Sequence, residues 1–231
     1  MAKRSKRYRR NLEKLGGTKR PRMATDEAIK TLKNFEGPKF DQTVELVLNL
    51  GIDPRKSDQQ VRGTLSLPHG LGKERKVVVF AEGEAAEEAK KAGADYVGGV
   101  DLVQKIQKEG WTDFDVAIAT PEMMRHVSKL GRILGPQGKM PSSKTGTVTN
   151  KVAEAVKEFK FGRVEYRNDS TGNIHLPVGK LSFETDKLVE NIQAAIEHIK
   201  SVRPAAVKGT YLKKAFVSAT MTPAIELTVE R

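Results

Sequence analysis

Lys76-Val77-Val78-Val79-Phe80-Ala81 is continuously apolar, the pattern of a strand covered on both faces. A helical segment, Ala85 to Ala92, follows it and stops at Gly93. Tyr96-Val97 then reads as a short strand, Leu102 to Glu109 as a helix, Val116 to Ala119 as a second buried strand and Glu122 to Leu130 as another helix. Strand and helix alternating at this spacing define an α/β unit with a mostly parallel sheet.

The flanks have a different texture. Thr43 to Leu50 alternates, with Val44, Leu46, Leu48 and Leu50 on one face and Thr43, Glu45 and Asn49 on the other, as a half-buried strand does. Val61 to Leu67 alternates as well. Before them, Thr25-Asp26-Glu27 opens a helix with the stripe Ala28, Ile29, Leu32 and Phe35, stopped by Gly37-Pro38. Beyond the α/β unit, Val164 to Arg167 and Ile174 to Val178 flank the turn Asn168-Asp-Ser-Thr-Gly-Asn173. Leu188, Val189, Ile192, Ala195, Ile196 and Ile199 form an amphipathic helix ending before Pro204. Lys213 to Met221 and Ile225 to Val229 read as strands joined at Thr222-Pro223. Half-buried strands on both sides of a buried-sheet unit fit an α+β domain interrupted by an inserted α/β domain. A linear order of two domains fits the periodicity equally well.

The 231 residues carry 41 Lys+Arg against 29 Asp+Glu and no cysteine. The length suffices for one large domain or two modest ones. Without cysteine there is no disulfide, iron–sulfur cluster or zinc ribbon. The longest apolar run, Val77 to Ala81, is far too short to span a bilayer, and the basic N-terminus precedes no apolar signal segment. A soluble intracellular protein is expected. Three quarters of the net charge of +12 sits in residues 1–22, where ten basic groups accompany Glu13 alone. With only Tyr8, Leu12 and Leu15 as large apolar residues, this arm is expected to be mobile in isolation. Charge this dense favours polyanions by counterion release, without sequence preference.

Catalytic chemistry finds little support. No Gly-x-Gly-x-x-Gly follows the first buried strand, where Glu82-Gly83-Glu84 is acidic. Gly138-Lys139 is followed by Met140, and Ile133 stands where a phosphate loop needs its first glycine. His69, His126, His175 and His198 have no metal-ligand spacing, and there is no Gly-x-Ser-x-Gly elbow. Neither cofactor nor metal is expected. The segment Gly131 to Gly146, dense in Gly and Pro, reads either as a long loop or as a recognition or hinge loop offering Arg132, Lys139 and Lys144 to phosphates. Phe40, among the polar residues Lys39-Phe40-Asp41-Gln42-Thr43, is either a stacking platform or core. Ser218-Ala219-Thr220-Met221 sets two hydroxyls and a thioether at a strand end, within the chemistry that contacts ribose and phosphate.

Several long motifs carry a resemblance. Leu130-Gly-Arg-Ile-Leu-Gly-Pro-Gln-Gly-Lys-Met-Pro141 with Gly146-Thr-Val-Thr149, Lys39 to Glu45, Asp169 to His175 with Pro177-Val-Gly-Lys180, and Lys208 to Lys214 with Ser218 to Met221 are similar, in order, to the L-one family of ribosomal proteins, in its bacterial form. The resemblance runs from about residue 4 to residue 229. It implies a fold of the α/β class in two domains: a discontinuous α+β domain, residues 1–70 plus 157–231 with the basic arm at 1–22, and an inserted Rossmann-like α/β domain, 71–156, joined by a two-strand hinge. It also implies a non-enzymatic constituent of the large ribosomal subunit at its mobile stalk, cytoplasmic with the ribosome. The implied partners are large-subunit rRNA, exit-site tRNA whose deacylated form it helps release, its own operon mRNA, whose translation it represses, and other large-subunit components; neither a membrane nor a homo-oligomer is expected. Carried over by motif, Phe40, Thr43, Glu45, Arg167, Asp169, Gly172, His175, Ser218, Thr220 and Met221 would face the rRNA, with Arg132, Gly135, Gly138 and Lys139 as loop or hinge positions. One departure stands out: the family's Thr-Met is usually followed by Gly-Pro, and here by Thr222-Pro223. A side chain in place of that glycine is expected to weaken or rearrange an RNA contact.

Overall fold

The computed structural model describes residues 4–17, 21–72 and 75–229, Lys144 in its backbone only, so Lys3, Lys19 and Arg20 of the arm and the Lys144 side chain lie outside the described residues. The chain begins with α1 (Lys6–Lys14), β1 (Arg22–Met23), α2 (Thr25–Lys33), β2 (Thr43–Leu50) and β3 (Arg62–Ser66). It continues through β4 (Val77–Phe80), α3 (Glu84–Lys91), β5 (Tyr96–Gly98), α4 (Val100–Glu109), β6 (Val116–Ala119), α5 (Met124–Val127), α6 (Gly131–Leu134) and α7 (Val152–Phe161). The last elements are β7 (Arg163–Arg167), β8 (Asn173–Lys180), α8 (Thr185–Ser201), β9 (Leu212–Ala219) and β10 (Ile225–Leu227). Two compact units result: a terminal unit of residues 1–72 and 166–231, and an inserted unit of 73–165.

The terminal unit is built on the sheet β1-β10-β9-β2-β8. Its centre is β2, antiparallel to β8 and to β9, so a segment from the N-terminal third is paired on both sides with residues more than 120 positions away. Val44, Leu46 and Leu48 are wholly buried, and α2 and α8 pack across the sheet. The partly exposed face carries Thr43, Glu45, Val47 and Asn49 from β2 and His175 and Ser218 from its neighbours. Period-two alternation thus sorts core from candidate site along one strand. Within the same unit, buried Asn191 on α8 donates to the carbonyls of Gly70 (3.1 Å) and Val178 (2.8 Å) and accepts from the His69 N–H (3.1 Å).

The basic arm is not loose. Ser5 caps α1, its hydroxyl oxygen accepting from the Tyr8 N–H at 3.2 Å. Asn11, fully buried, donates to the Glu36 carbonyl at 2.9 Å and accepts from the Glu36 N–H at 3.0 Å, Arg10 pairs with the Glu36 carboxylate, and Leu15 is in the core. The expectation of a mobile arm is corrected for residues 4–17. It rested on large apolar residues, whereas a polar side chain meeting both backbone groups of one residue, Glu36, does the docking.

In the inserted unit β4 lies between β5 and β6, parallel to both, with Val77, Val78, Val79 and Phe80 wholly buried. One apolar cluster joins Val78 and Phe80 to Val103, Ile106 and Leu134; another joins Val77 and Val79 to Ala89, Val156 and Phe159. The helix expected over Glu122 to Leu130 is broken, α5 giving way at Ser128 to a 3-10 turn and then to α6. The Ser128 hydroxyl donates back to the Arg125 carbonyl at 2.9 Å, a local competitor of the helical ladder. Helix α7 packs on β4 and β6, so the second crossing between units falls after Glu165 instead of the expected position after residue 156, which would cut the helix. Its stripe Val152, Ala155, Val156 and Phe159 was present in the sequence as an unread helical signal.

Asn191→Leu is expected to strip partners from two buried backbone groups and one partly buried one, and to cost about 3 kcal/mol or more. Urea unfolding checks this: the midpoint should fall while the slope stays constant.

Candidate functional site

The structure brings most of the expected site residues onto the partly exposed face and ends of the five-stranded sheet. At one end Thr43 and Thr220 are tied together. The Thr43 N–H donates to the Thr220 hydroxyl oxygen at 3.2 Å, the Thr220 N–H donates to the Thr43 carbonyl at 3.2 Å, and the Thr220 hydroxyl points at the same carbonyl at 3.4 Å. The Thr220 hydroxyl is therefore spent on the backbone of its neighbour, and its part is to position the turn. Met221, next in the chain, is 64% exposed and sits at φ +66°, the sole non-glycine with positive φ among the described residues. A side chain in the left-handed region costs energy and is held there by its surroundings. Phe40, 52% exposed just before β2, is a free aromatic face and not core.

Across the middle of the face, Glu45 stands opposite Ser218 on β9. Its carboxylate lies 3.5 Å from His175 Nδ1, and His175 Nε2 lies 3.8 Å from the Asp169 carboxylate. These three residues make a polar line from the centre of the sheet to the hairpin tip.

The tip is organised by Asp169. One carboxylate oxygen accepts from the N–H groups of Thr171 and Asn173, at 2.8 Å each, and the Thr171 hydroxyl and Asn173 amide also donate to the carboxylate. Partial burial pushes the Asp169 pKa up, but the Asn173 and Thr171 hydrogen bonds outweigh it and hold the carboxyl down at about 2. Gly172 is buried at φ +80°, its carbonyl accepting from the Leu50 N–H at 2.9 Å, so it shapes the hairpin and offers no side-chain contact. Arg167 is exposed at the end of β7, in the two-stranded ladder with β3 and outside the five-stranded sheet. Beside it, Asn168 ties the segment to the Val61 backbone.

The glycine-rich segment lies in the inserted unit. Arg132 is exposed on α6, whereas Lys139 is a packing residue, its ammonium donating to the Thr112 carbonyl at 2.9 Å and lying 5.4 Å from the Phe114 ring centroid. Gly135 is required by close approach, since a Cβ there would meet the Gly131 carbonyl oxygen at 2.4 Å. Gly138 supplies a left-handed turn at φ +69°.

Thr222, where the family pattern usually has glycine, keeps its side chain within its own turn. Its hydroxyl folds back on its own turn, accepting from the Ala219 N–H at 2.9 Å and donating to the Ala219 carbonyl at 3.0 Å. Sequence reasoning missed Lys180, whose ammonium donates to the Thr43 hydroxyl at 3.0 Å. Its place beside Pro177-Val-Gly was the available signal. No helix is long and apolar enough to cross a membrane among the described residues, and none of these residues cluster as a metal site.

The relatives of this chain give its class. The sequence model of the ribosomal protein L1p/L10e family matches residues 32–223, most of the chain. Large ribosomal subunit protein uL1 of Kosmotoga olearia is 59% identical over 98% of this chain and 97% of its own length. The proteins of the same name from Thermosipho melanesiensis and Persephonella marina are 58% and 53% identical, over 98% and 99% of this chain and 97% and 95% of their own lengths. The class is that of structural, non-enzymatic ribosomal proteins. Within that class, the chain belongs to the ribosomal protein L1p/L10e family.

The Asp169 carboxylate carries a sign-defined expectation. Because its folded pKa is depressed below 3.8, its stabilisation of the hairpin is present above that value and lost as pH falls through about 2. Melts of the wild type and Asp169→Ala should differ at neutral pH and converge between about pH 4 and pH 2.

Proposed function

We propose that this chain is a constituent of the large ribosomal subunit that grips a structured segment of large-subunit rRNA at the mobile stalk with the open face of its terminal unit. The observation that carries the reading is the arrangement from Thr43-Thr220-Met221 through Glu45 and His175 to the Asp169 hairpin, reached from β2, β8, β9 and the flanking turns. Fixed hydroxyls and exposed Phe40 suit recognition of RNA shape and 2′-hydroxyls. The Thr43 and Asp169 hydrogen bonds set the surface before RNA arrives, which lowers the ordering cost of binding.

The same reading extends to two further activities implied by the family resemblance: assisting release of deacylated tRNA from the exit site, and repressing translation of its own operon mRNA. The second follows physically if that mRNA offers the same shape as the rRNA segment, since both then compete for one face. The large-subunit names of the relatives and the family's place in the cytoplasmic ribosome support the setting.

Titration of the full chain with a stalk rRNA fragment and a scrambled RNA of equal length, at low and near-physiological salt, tests the reading. The stalk RNA is expected to keep a large advantage as salt rises. If both RNAs bind alike and fade together, the open face is not a specific site. Thr220→Val, which removes the hydroxyl that accepts from the Thr43 N–H but keeps the Thr220 N–H bond to the Thr43 carbonyl, is expected to weaken stalk binding roughly tenfold while leaving the scrambled RNA unaffected.

A further inference from the structure

Two cations flank the Thr220-Met221 turn, and both are placed by the turn or its partner. On one side, Arg7 of α1 directs Nη2 at the Met221 thioether, 3.6 Å away, while Arg7 Nε is buried with no hydrogen-bond partner. On the other, half-buried Lys180 at the end of β8 donates one N–H to the Thr43 hydroxyl. Among the described residues, neither has a carboxylate within ion-pair distance. Other cations of the same unit are paired: Arg10 with Glu36 at 3.0 Å, Arg22 with Glu226 at 2.9 Å and Lys30 with Asp26 at 2.6 Å.

The chemistry of the two is specific. Nε and Nη2 form the edge of a guanidinium that binds an oxyanion bidentately. In Arg7 that edge holds only a weak thioether acceptor, and leaving a buried N–H unmet is costly. Met221 is exposed, flexible in its side chain and at a strained backbone angle, so its sulfur can yield to a stronger acceptor. Lys180 is a compact point charge held by one bond with further N–H donors to give.

Resting on the rRNA reading above, we infer that Arg7 and Lys180 form a phosphate clamp around the Thr220-Met221 turn, the Arg7 fork exchanging the Met221 sulfur for a backbone phosphate oxygen when RNA docks. The N-terminal helix thereby supplies a site-specific contact in addition to diffuse charge. Lys180 takes a second phosphate and keeps the Thr43 hydroxyl oriented.

The test is a salt-dependent titration of the full chain and its variants against the stalk rRNA fragment and the scrambled RNA. Arg7→Gln and Lys180→Met are each expected to weaken stalk binding roughly tenfold and to lower the salt slope by about one, with little effect on the scrambled RNA. Arg9→Gln, a neutralised exposed residue of the same helix, should change stalk binding less than about threefold. Arg7→Lys should keep the slope and still lose affinity, because it keeps charge without the fork. In the wild type, the Arg7 Nε–H resonance should shift downfield on adding stalk RNA, a readout that does not depend on any variant folding. If Arg7→Gln and Lys180→Met behave as Arg9→Gln does, if both RNAs lose equally, or if the Nε–H resonance does not move, the clamp is overturned while the rRNA site stands. If the wild type shows no preference for stalk RNA, the rRNA reading fails and the clamp with it.

Discussion

The period-two pleat of β2 is the constraint on which the molecule depends. Val44, Leu46, Leu48 and Leu50 must all enter the core, so Thr43, Glu45, Val47 and Asn49 have no choice but the opposite face. A slip of one residue would bury Glu45 and expose four aliphatic side chains. Because β2 is central, its register also fixes which residues of β8 and β9 stand beside it. The core and the candidate site are two readings of one strand.

On that face, several polar groups are already committed to their own backbone. Thr220 holds Thr43, Asp169 holds the hairpin and Thr222 closes the turn after β9. What remains for a partner is the Phe40 ring, the Met221 side chain, Ser218, the edges of Glu45 and His175, and the cations at the margin. Such division of labour is economical for RNA, whose recognition depends on shape and on groups held at fixed positions. The residue family motifs mark as important are, in part, those that position others.

Much of the fold was legible in sequence because it rests on apolar periodicity. The β2 alternation, the continuous Val77–Phe80 run and the α8 stripe are signals of hydrophobic burial, and the structure realises each. What was not legible rests on polar groups meeting backbone at long range. Asn11 docking α1 through Glu36, and Asn191 tying β8 to the His69-Gly70 segment, leave no trace in a periodic pattern. The use of the Thr220 hydroxyl is hidden for the same reason, while the Ser128 break in the α5 region rests on a local polar bond that apolar periodicity does not register. The candidate site was named only through motif resemblance, which does not separate residues that face outward, such as Phe40 and Met221, from residues that position others, such as Thr220.

The most direct test of this account is cross-saturation from the sugar protons of a bound stalk rRNA fragment to the amides of the deuterated full chain. The account predicts attenuation at Thr43, Glu45, His175, Ser218 and Met221, with the inward-facing Leu46 and Leu48 unaffected. Attenuation confined to the inserted unit, or spread evenly over the basic residues of α1, would contradict it.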